Sequence, residues 1–197
     1  MSAGNLGGDA RGRLLLATGN AHKLREFERL LPGVELDGLP PGTPSPVEDG
    51  GTYAANALIK ARAAAAATGR AAFADDSGIE AAALGGRPGV LTARYAGPDA
   101  SDEDNLARFE AEVPPGSPLR YVCVIAHVTP DGVETLFEGT CEGTMAAARA
   151  GARGFGYDPV FVPDGESRTM AELADAEKDA ISHRGRAARA LLAWLPR

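Results

Sequence analysis

Leu119-Arg120-Tyr121-Val122-Cys123-Val124-Ile125-Ala126-His127-Val128, then Thr129-Pro130-Asp131-Gly132, then Val133-Glu134-Thr135-Leu136-Phe137-Glu138-Gly139-Thr140 is the stretch that decides the fold class. Two β-rich runs on either side of a Pro-Asp-Gly turn read as an antiparallel hairpin. Upstream, Arg13 to Ala17 is a short Leu-rich run that suits a buried strand. Thr18-Gly19-Asn20 follows, and then a helical pattern with Leu24, Phe27, Leu30 and Leu31 at its apolar positions. Asn20 serves as its N-cap and Pro32-Gly33 as its stop. Tyr53 to Thr68 is an Ala-dominated helix closed by Gly69. Phe73 to Asp75 reads as a brief central strand that delivers an Asp pair to its end. Ser101-Asp102-Glu103-Asp104 is a capping box that opens a short helix through Phe109. Ser182 caps a last helix whose apolar face runs Ala187, Ala188, Leu191, Trp194 and Leu195. Leu36 to Gly51, with four prolines, reads as an irregular loop ending in Glu48-Asp49. The expected fold is therefore α/β: a mixed β-sheet flanked by helices. Residues 1–12 read as a flexible leader and 13–197 as one domain without linker or repeat.

Charge and composition narrow the function. A formal net charge of −7 over 197 residues argues against broad attraction to a nucleic-acid backbone. A nucleotide ligand stays open, because a few local Lys and Arg residues can hold a triphosphate inside an acidic protein. Cys123 and Cys141 fall in strand-like runs and read as reduced apolar side chains, neither a disulfide nor a zinc site. No apolar run reaches the length of a membrane span and no signal-peptide core is visible, so the expectation is a cytoplasmic protein without membrane partners.

Four segments carry chemistry-bearing residues. In Ala74-Asp75-Asp76-Ser77-Gly78, adjacent carboxylates repel, and a cation or bound proton must relieve them; Mg²⁺ is the usual ion. The same composition also suits a solvated turn. Thr18-Gly19-Asn20-Ala21-His22-Lys23 joins a strand to a helix and offers backbone N–H groups to an anion. It lacks Walker spacing, and a plain Asn cap with a surface Lys would look alike. Gly154-Phe155-Gly156-Tyr157-Asp158-Pro159 brings backbone close to a flat ligand, or else buries Phe155 in a tight turn. Lys178 and Ser182-His183-Arg184-Gly185 set cations near a helix start, against the helix dipole, a conflict that a bound phosphate would remove. Ser77 with His183 lacks the Gly-x-Ser-x-Gly context of a serine hydrolase.

Together these segments resemble the inosine triphosphate pyrophosphatase family. The likeness runs from Leu14 to Leu195 and includes Gly85-Gly86-Arg87-Pro88-Gly89 and Ala93-Arg94-Tyr95, all in family order. The resemblance implies Mg²⁺-dependent hydrolysis of aberrant purine nucleoside triphosphates (ITP, dITP, XTP) to monophosphate and pyrophosphate. It also implies an elongated two-lobed α/β fold with the active-site cleft between the lobes, and a homodimer. By position, Thr18, Gly19, Asn20, Ala21, His22 and Lys23 would hold the triphosphate, and Glu48 with Asp76 the metal. Asp76 would be the catalytic carboxylate, supported by Asp75, with Ser77 touching substrate. Phe155, Gly156, Tyr157, Asp158, Lys178, His183 and Arg184 would form the nucleoside pocket. One departure is visible: relatives often carry Glu before Asn-Ala, where this chain has Ala55 before Asn56-Ala57. Lys60 shares the helical face of Asn56, and reads more readily as an exposed Lys than as part of the acidic site. Two rivals remain: a related pyrophosphatase acting on pyrimidine nucleotides, and a nucleotide-binding protein without catalysis.

Overall fold

The computed structural model describes residues 13–196; the leader reading of 1–12 lies outside them. Six strands form one sheet, β1 (Arg13–Leu16), β2 (Glu35–Gly38), β3 (Ala72–Ala81), β4 (Pro118–Val128), β5 (Glu134–Met145) and β6 (Phe161–Pro163), in the order β2-β1-β3-β4-β5-β6. β1 runs parallel to β2 and β3, and every pairing from β3 onward is antiparallel. The hairpin is there as read, with Val128 opposite Glu134 across the turn. β4 lies between β3 and β5, and its near-continuous apolar run is buried on both faces.

Five helices cover the sheet: α1 (Ala21–Leu30), α2 (Tyr53–Thr68), α3 (Asp102–Glu112), α4 (Asp175–Ile181) and α5 (His183–Trp194). Their caps follow the sequence. Asn20 accepts from the His22 and Lys23 N–H groups, Ser101 and Asp104 form a reciprocal capping box, and Ser182 accepts from Gly185. Gly69 takes the left-handed conformation that ends α2. α5 lies directly on β5: a Cβ on Gly139 would stand 2.2 Å from the His183 carbonyl oxygen.

The apolar core is divided along the sheet. On one face Leu16, Phe27, Leu31, Phe73, Ile125 and Leu191 pack beneath α1 and α5. On the other, the alanines of α2 (Ala57, Ala61, Ala64 and Ala65) pack on Leu15, Ala74 and Val128. A third cluster, with Ile79, Phe109, Tyr121 and Phe161, fills the far end near α3 and β6. Phe73-Ala74 and Ile79 belong to different clusters, so Asp75 to Gly78 occupy the interval between them.

Two expectations need correction. The strand at Phe73 is ten residues long and carries the Asp pair in its middle, because the apolar residues Ile79 and Ala81 extend it into the far cluster. The proline-rich loop is shorter than read, since its first residues, Leu36 to Gly38, belong to edge strand β2 beside β1. Helix α4 had no clear periodic signal in its seven residues.

Candidate active site

Residues alternate faces along a strand, so Asp75 and Asp76 point to opposite sides of the sheet. This removes most of the repulsion the adjacent carboxylates would otherwise have. It also rules out the solvated turn, since Asp75 is 1% and Asp76 8% exposed.

On the α1/α5 face, Asp75 Oδ2 lies 3.0 Å from Lys23 Nζ and 3.4 Å from Arg184 Nη2. Ser77 donates to the same oxygen at 3.1 Å and receives Arg184 Nη2 at 2.8 Å. Arg184 Nη1 donates to Glu26, a buried acid on α1, whose other oxygen takes Lys178 at 2.9 Å. Lys178 closes the chain on Asp158 at 2.7 Å. Burial alone would favour the neutral Asp75 acid, but Lys23, Arg184 and Lys60 outweigh it and hold the carboxyl well below its usual range. Glu26 is likewise lowered: burial pushes it up, and Arg184 and Lys178 more than reverse that.

This network answers the dipole conflict differently from the sequence reading. Lys178 stands in the last turn of α4, where a cation is favoured, and Arg184 at the start of α5 is neutralised by protein carboxylates. Glu26 was missed by sequence reasoning. Its signal was a charged residue one position from Phe27, on the buried side of an amphipathic helix.

On the α2 face, Asn56 donates from Nδ2 to Asp76 Oδ2 at 3.1 Å and accepts the Gly50 N–H at 2.8 Å. The loop carrying Glu48 is thereby tied to the strand carrying Asp76, and Arg94 adds a bond to the Glu48 carbonyl at 3.1 Å. Lys60 Nζ lies 2.6 Å from Glu48 Oε2 and 3.7 Å from Asp76 Oδ1. It belongs to the acidic site, not to the exposed face expected for it, because Asn56 and Lys60 at i and i+4 share the helix side that meets β3. Burial raises the Asp76 pKa, and Lys60 and the Asn56 hydrogen bond only partly offset it.

A cleft of about 400 Å³ takes lining residues from both groups. It is lined by Asp76 and Ser77 of β3, by Thr18, Gly19, Asn20 and Lys23, and by Glu48 and Lys60. Phe155, Gly156, Tyr157, Asp158, Lys178, His183 and Arg184 contribute a further wall. Of the sequence-predicted residues, Ala21 and His22 lie off this cleft; His22 lines a smaller hollow behind Phe155, its ring 5.3 Å from the Phe155 ring. The free N–H groups expected at the start of α1 are fewer than expected, since those of His22 and Lys23 go to Asn20 Oδ1.

The wall is organised from below. Asp158 accepts the Phe155 N–H at 2.9 Å as well as Lys178. The His183 imidazole is buried, its Nδ1 has no hydrogen-bond partner, and burial, then the Arg184 and Lys178 charges, push its pKa well below the ordinary value. It is a neutral ring at neutral pH. Both cysteines are free and buried, as expected.

For a metal, the relevant donors are Glu48 Oε2 and Asp76 Oδ1, which converge on one cation, the Lys60 ammonium. Among the described residues, no group of three or more acid, His or Cys side chains forms a cage. Mg²⁺ takes one or two protein carboxylates and completes its shell with phosphate oxygens and water, so this donor pair fits it. Among the same residues, no helix is long and apolar enough to cross a membrane.

Comparison with known proteins agrees with this geometry. A dITP/XTP pyrophosphatase of Symbiobacterium thermophilum is 53% identical, over 93% of this chain and 95% of its own. One of Corynebacterium efficiens is 48% identical over 91% and 95%. Among solved structures, a HAM1 protein from Coxiella burnetii superposes with a TM-score of 0.81 at 40% identity, covering 92% of this chain and 96% of its own. The Mycobacterium abscessus nucleoside-triphosphatase, dITP/XTP pyrophosphatase, gives 0.71 at 45% identity, covering 94% and 100%. The Ham1 family model matches residues 14–194, and with the fold and the cleft in accord, this chain belongs to the Ham1 family.

Proposed function

We propose that this chain hydrolyses ITP, dITP and XTP at the α–β phosphoanhydride, releasing the nucleoside monophosphate and pyrophosphate. One observation carries the reading: a single cleft gathers the Thr18–Lys23 turn, the Glu48/Asp76 pair and the Phe155–Arg184 wall from distant parts of the chain. The activity named for the relatives supplies the substrate class.

In this reading the triphosphate lies along Thr18, Asn20 and Lys23, with Lys60 adding positive charge beside Asp76. Asp76 and Glu48 would hold Mg²⁺, which when bound neutralises charge on the phosphate oxygens. Asn56 holds the Asp76 carboxylate through Oδ2 at the cleft, and this carboxylate would also take the proton of the attacking water. Its raised pKa suits that task better than the strongly lowered Asp75. Phe155 stacks on the base. His183 donates to the 6-keto oxygen of hypoxanthine or xanthine, whereas adenine would set an amino donor against it. Arg184 has its donors committed to Asp75, Ser77 and Glu26, so it shapes the wall more than it reads the base. The reading extends to a cytoplasmic homodimer, with sedimentation equilibrium deciding the dimer.

The test is pyrophosphate release from ITP, XTP, GTP, ATP and dTTP, each with Mg²⁺ and with excess chelator. Metal-dependent release from ITP and XTP, far above GTP and ATP, is the expected result. A preference for dTTP, release of orthophosphate in place of pyrophosphate, or no release at all would overturn it.

A further inference from the structure

We propose that Tyr121 is a positioning residue for the base-reading wall, holding the His183 ring in the plane from which it distinguishes a 6-keto from a 6-amino purine; this rests on the substrate reading above. The rings of Tyr121 and His183 are stacked, 4.5 Å between centroids and 10° between planes. His183 is the first residue of α5, and its Nδ1 makes no hydrogen bond. Ring orientation in a histidine is ordinarily fixed by a partner on one nitrogen. Here the aromatic stack takes that role.

The platform is rigid. Tyr121 stands on β4 between its register partners Ile79 of β3 and Cys141 of β5, and its ring also meets Phe161 at 4.5 Å. Its hydroxyl donates to Asp158 Oδ1 at 3.3 Å, while Asp158 Oδ2 takes the Phe155 N–H and Lys178. One side chain thus touches both the histidine and the loop that presents the stacking phenylalanine. A recognition group held by packing of this kind keeps its geometry when substrate arrives, which is what discrimination between two purines of the same shape requires.

The experiment compares Tyr121→Leu, which removes the stack, with Tyr121→Phe, which keeps it. Two readouts are taken: the ratio of kcat/KM for ITP to that for ATP, and the His183 ring resonances in the NMR spectrum, assigned with His183→Ala. In Tyr121→Leu the ratio is expected to fall about three- to tenfold, the range that the geometry of an aromatic pair covers. The His183 resonances should lose their ring-current shift. Tyr121→Phe should restore both. In a His183→Ala background, Tyr121→Leu should change the ratio no further.

An unchanged ratio or unchanged His183 resonances in Tyr121→Leu would overturn the proposal. So would equal losses in the Leu and Phe variants, or full additivity with His183→Ala. If Tyr121→Leu fails to fold, Tyr121→Met carries the same comparison. If the wild type releases no pyrophosphate from ITP, the substrate reading falls by itself. The resonances then still decide whether Tyr121 sets the ring.

Discussion

One peptide bond separates Asp75 from Asp76, yet the two carboxylates serve different regions of the molecule. On the α1/α5 face, three carboxylates (Asp75, Glu26 and Asp158) meet three cations (Lys23, Lys178 and Arg184) in a buried, balanced network. On the α2 face, two carboxylates, Asp76 and Glu48, share the single cation Lys60 at the cleft. The first region is neutralised by its own cations. The second keeps an excess negative charge at the cleft, the place where a further cation would be held. Strand alternation thus splits one acidic dipeptide between a buried ion network and the cleft.

The largest expected effect tests that division directly. Asp76→Asn should lower kcat for ITP by about 10²- to 10⁴-fold, the contribution of a positioned base, with an unchanged or higher melting temperature. Asp75→Asn, the same change one residue earlier, should act on stability. Removing a charge from a buried, hydrogen-bonded pair costs about 3–5 kcal/mol, read by denaturant unfolding. The comparison breaks if Asp75→Asn unfolds like wild type, or if Asp76→Asn keeps near-normal turnover.

Much of this was legible in the sequence because it lies in local signals. The hairpin, the Asn20, Ser101 and Ser182 caps and the Ala-rich α2 each follow from short-range pattern. The cleft residues followed from their resemblance to a family, and the cleft gathers all of them except Ala21 and His22. What the sequence did not reveal depends on which face a residue meets. The Asp pair looked like the end of a short strand because its charges hid a strand that continues to Ile79 and Ala81. Lys60 looked exposed because nothing local marks that its helix face meets β3. Glu26 and Tyr121 act through partners more than sixty residues away, Lys178 and Arg184 for one, His183 for the other, and only the folded sheet brings them together.

A smaller effect sharpens the picture of the α2 face. Asn56→Ala leaves the Gly50 N–H and Asp76 Oδ2 without their shared partner. Such losses cost about 1–3 kcal/mol, and here they also loosen Glu48 relative to Asp76. The expected result is a fall in kcat of about tenfold, with a rise in the Mg²⁺ concentration needed for half-maximal rate. Loss of stability with unchanged metal dependence would confine Asn56 to packing.

The smallest effect is a pH dependence of the balanced face, and its sign follows from the two shifts. Glu26 is held below its ordinary 4.5 because Arg184 on α5 and Lys178 on α4 outweigh its burial. A lowered carboxyl adds stability that is present above pH 4.5 and is lost as pH falls through the folded value, itself below 4.5. Lys178 is raised above its ordinary 10.5, Asp158 and Glu26 outweighing the opposite pull of burial. A raised lysine adds stability that is present below pH 10.5 and is lost as pH rises through the higher folded value. The two contributions together give a plateau from about pH 4.5 to about pH 10.5, with losses outside it on either side. Glu26→Gln removes the acid limb: its stability deficit against wild type should be constant across the plateau and shrink as pH falls below it. Urea unfolding of both proteins at a series of pH values reads the difference. A deficit that stays constant through the acid limb would mean that Glu26 contributes shape and hydrogen bonding but not charge, and the three-and-three balance would lose its meaning as the device that neutralises this face.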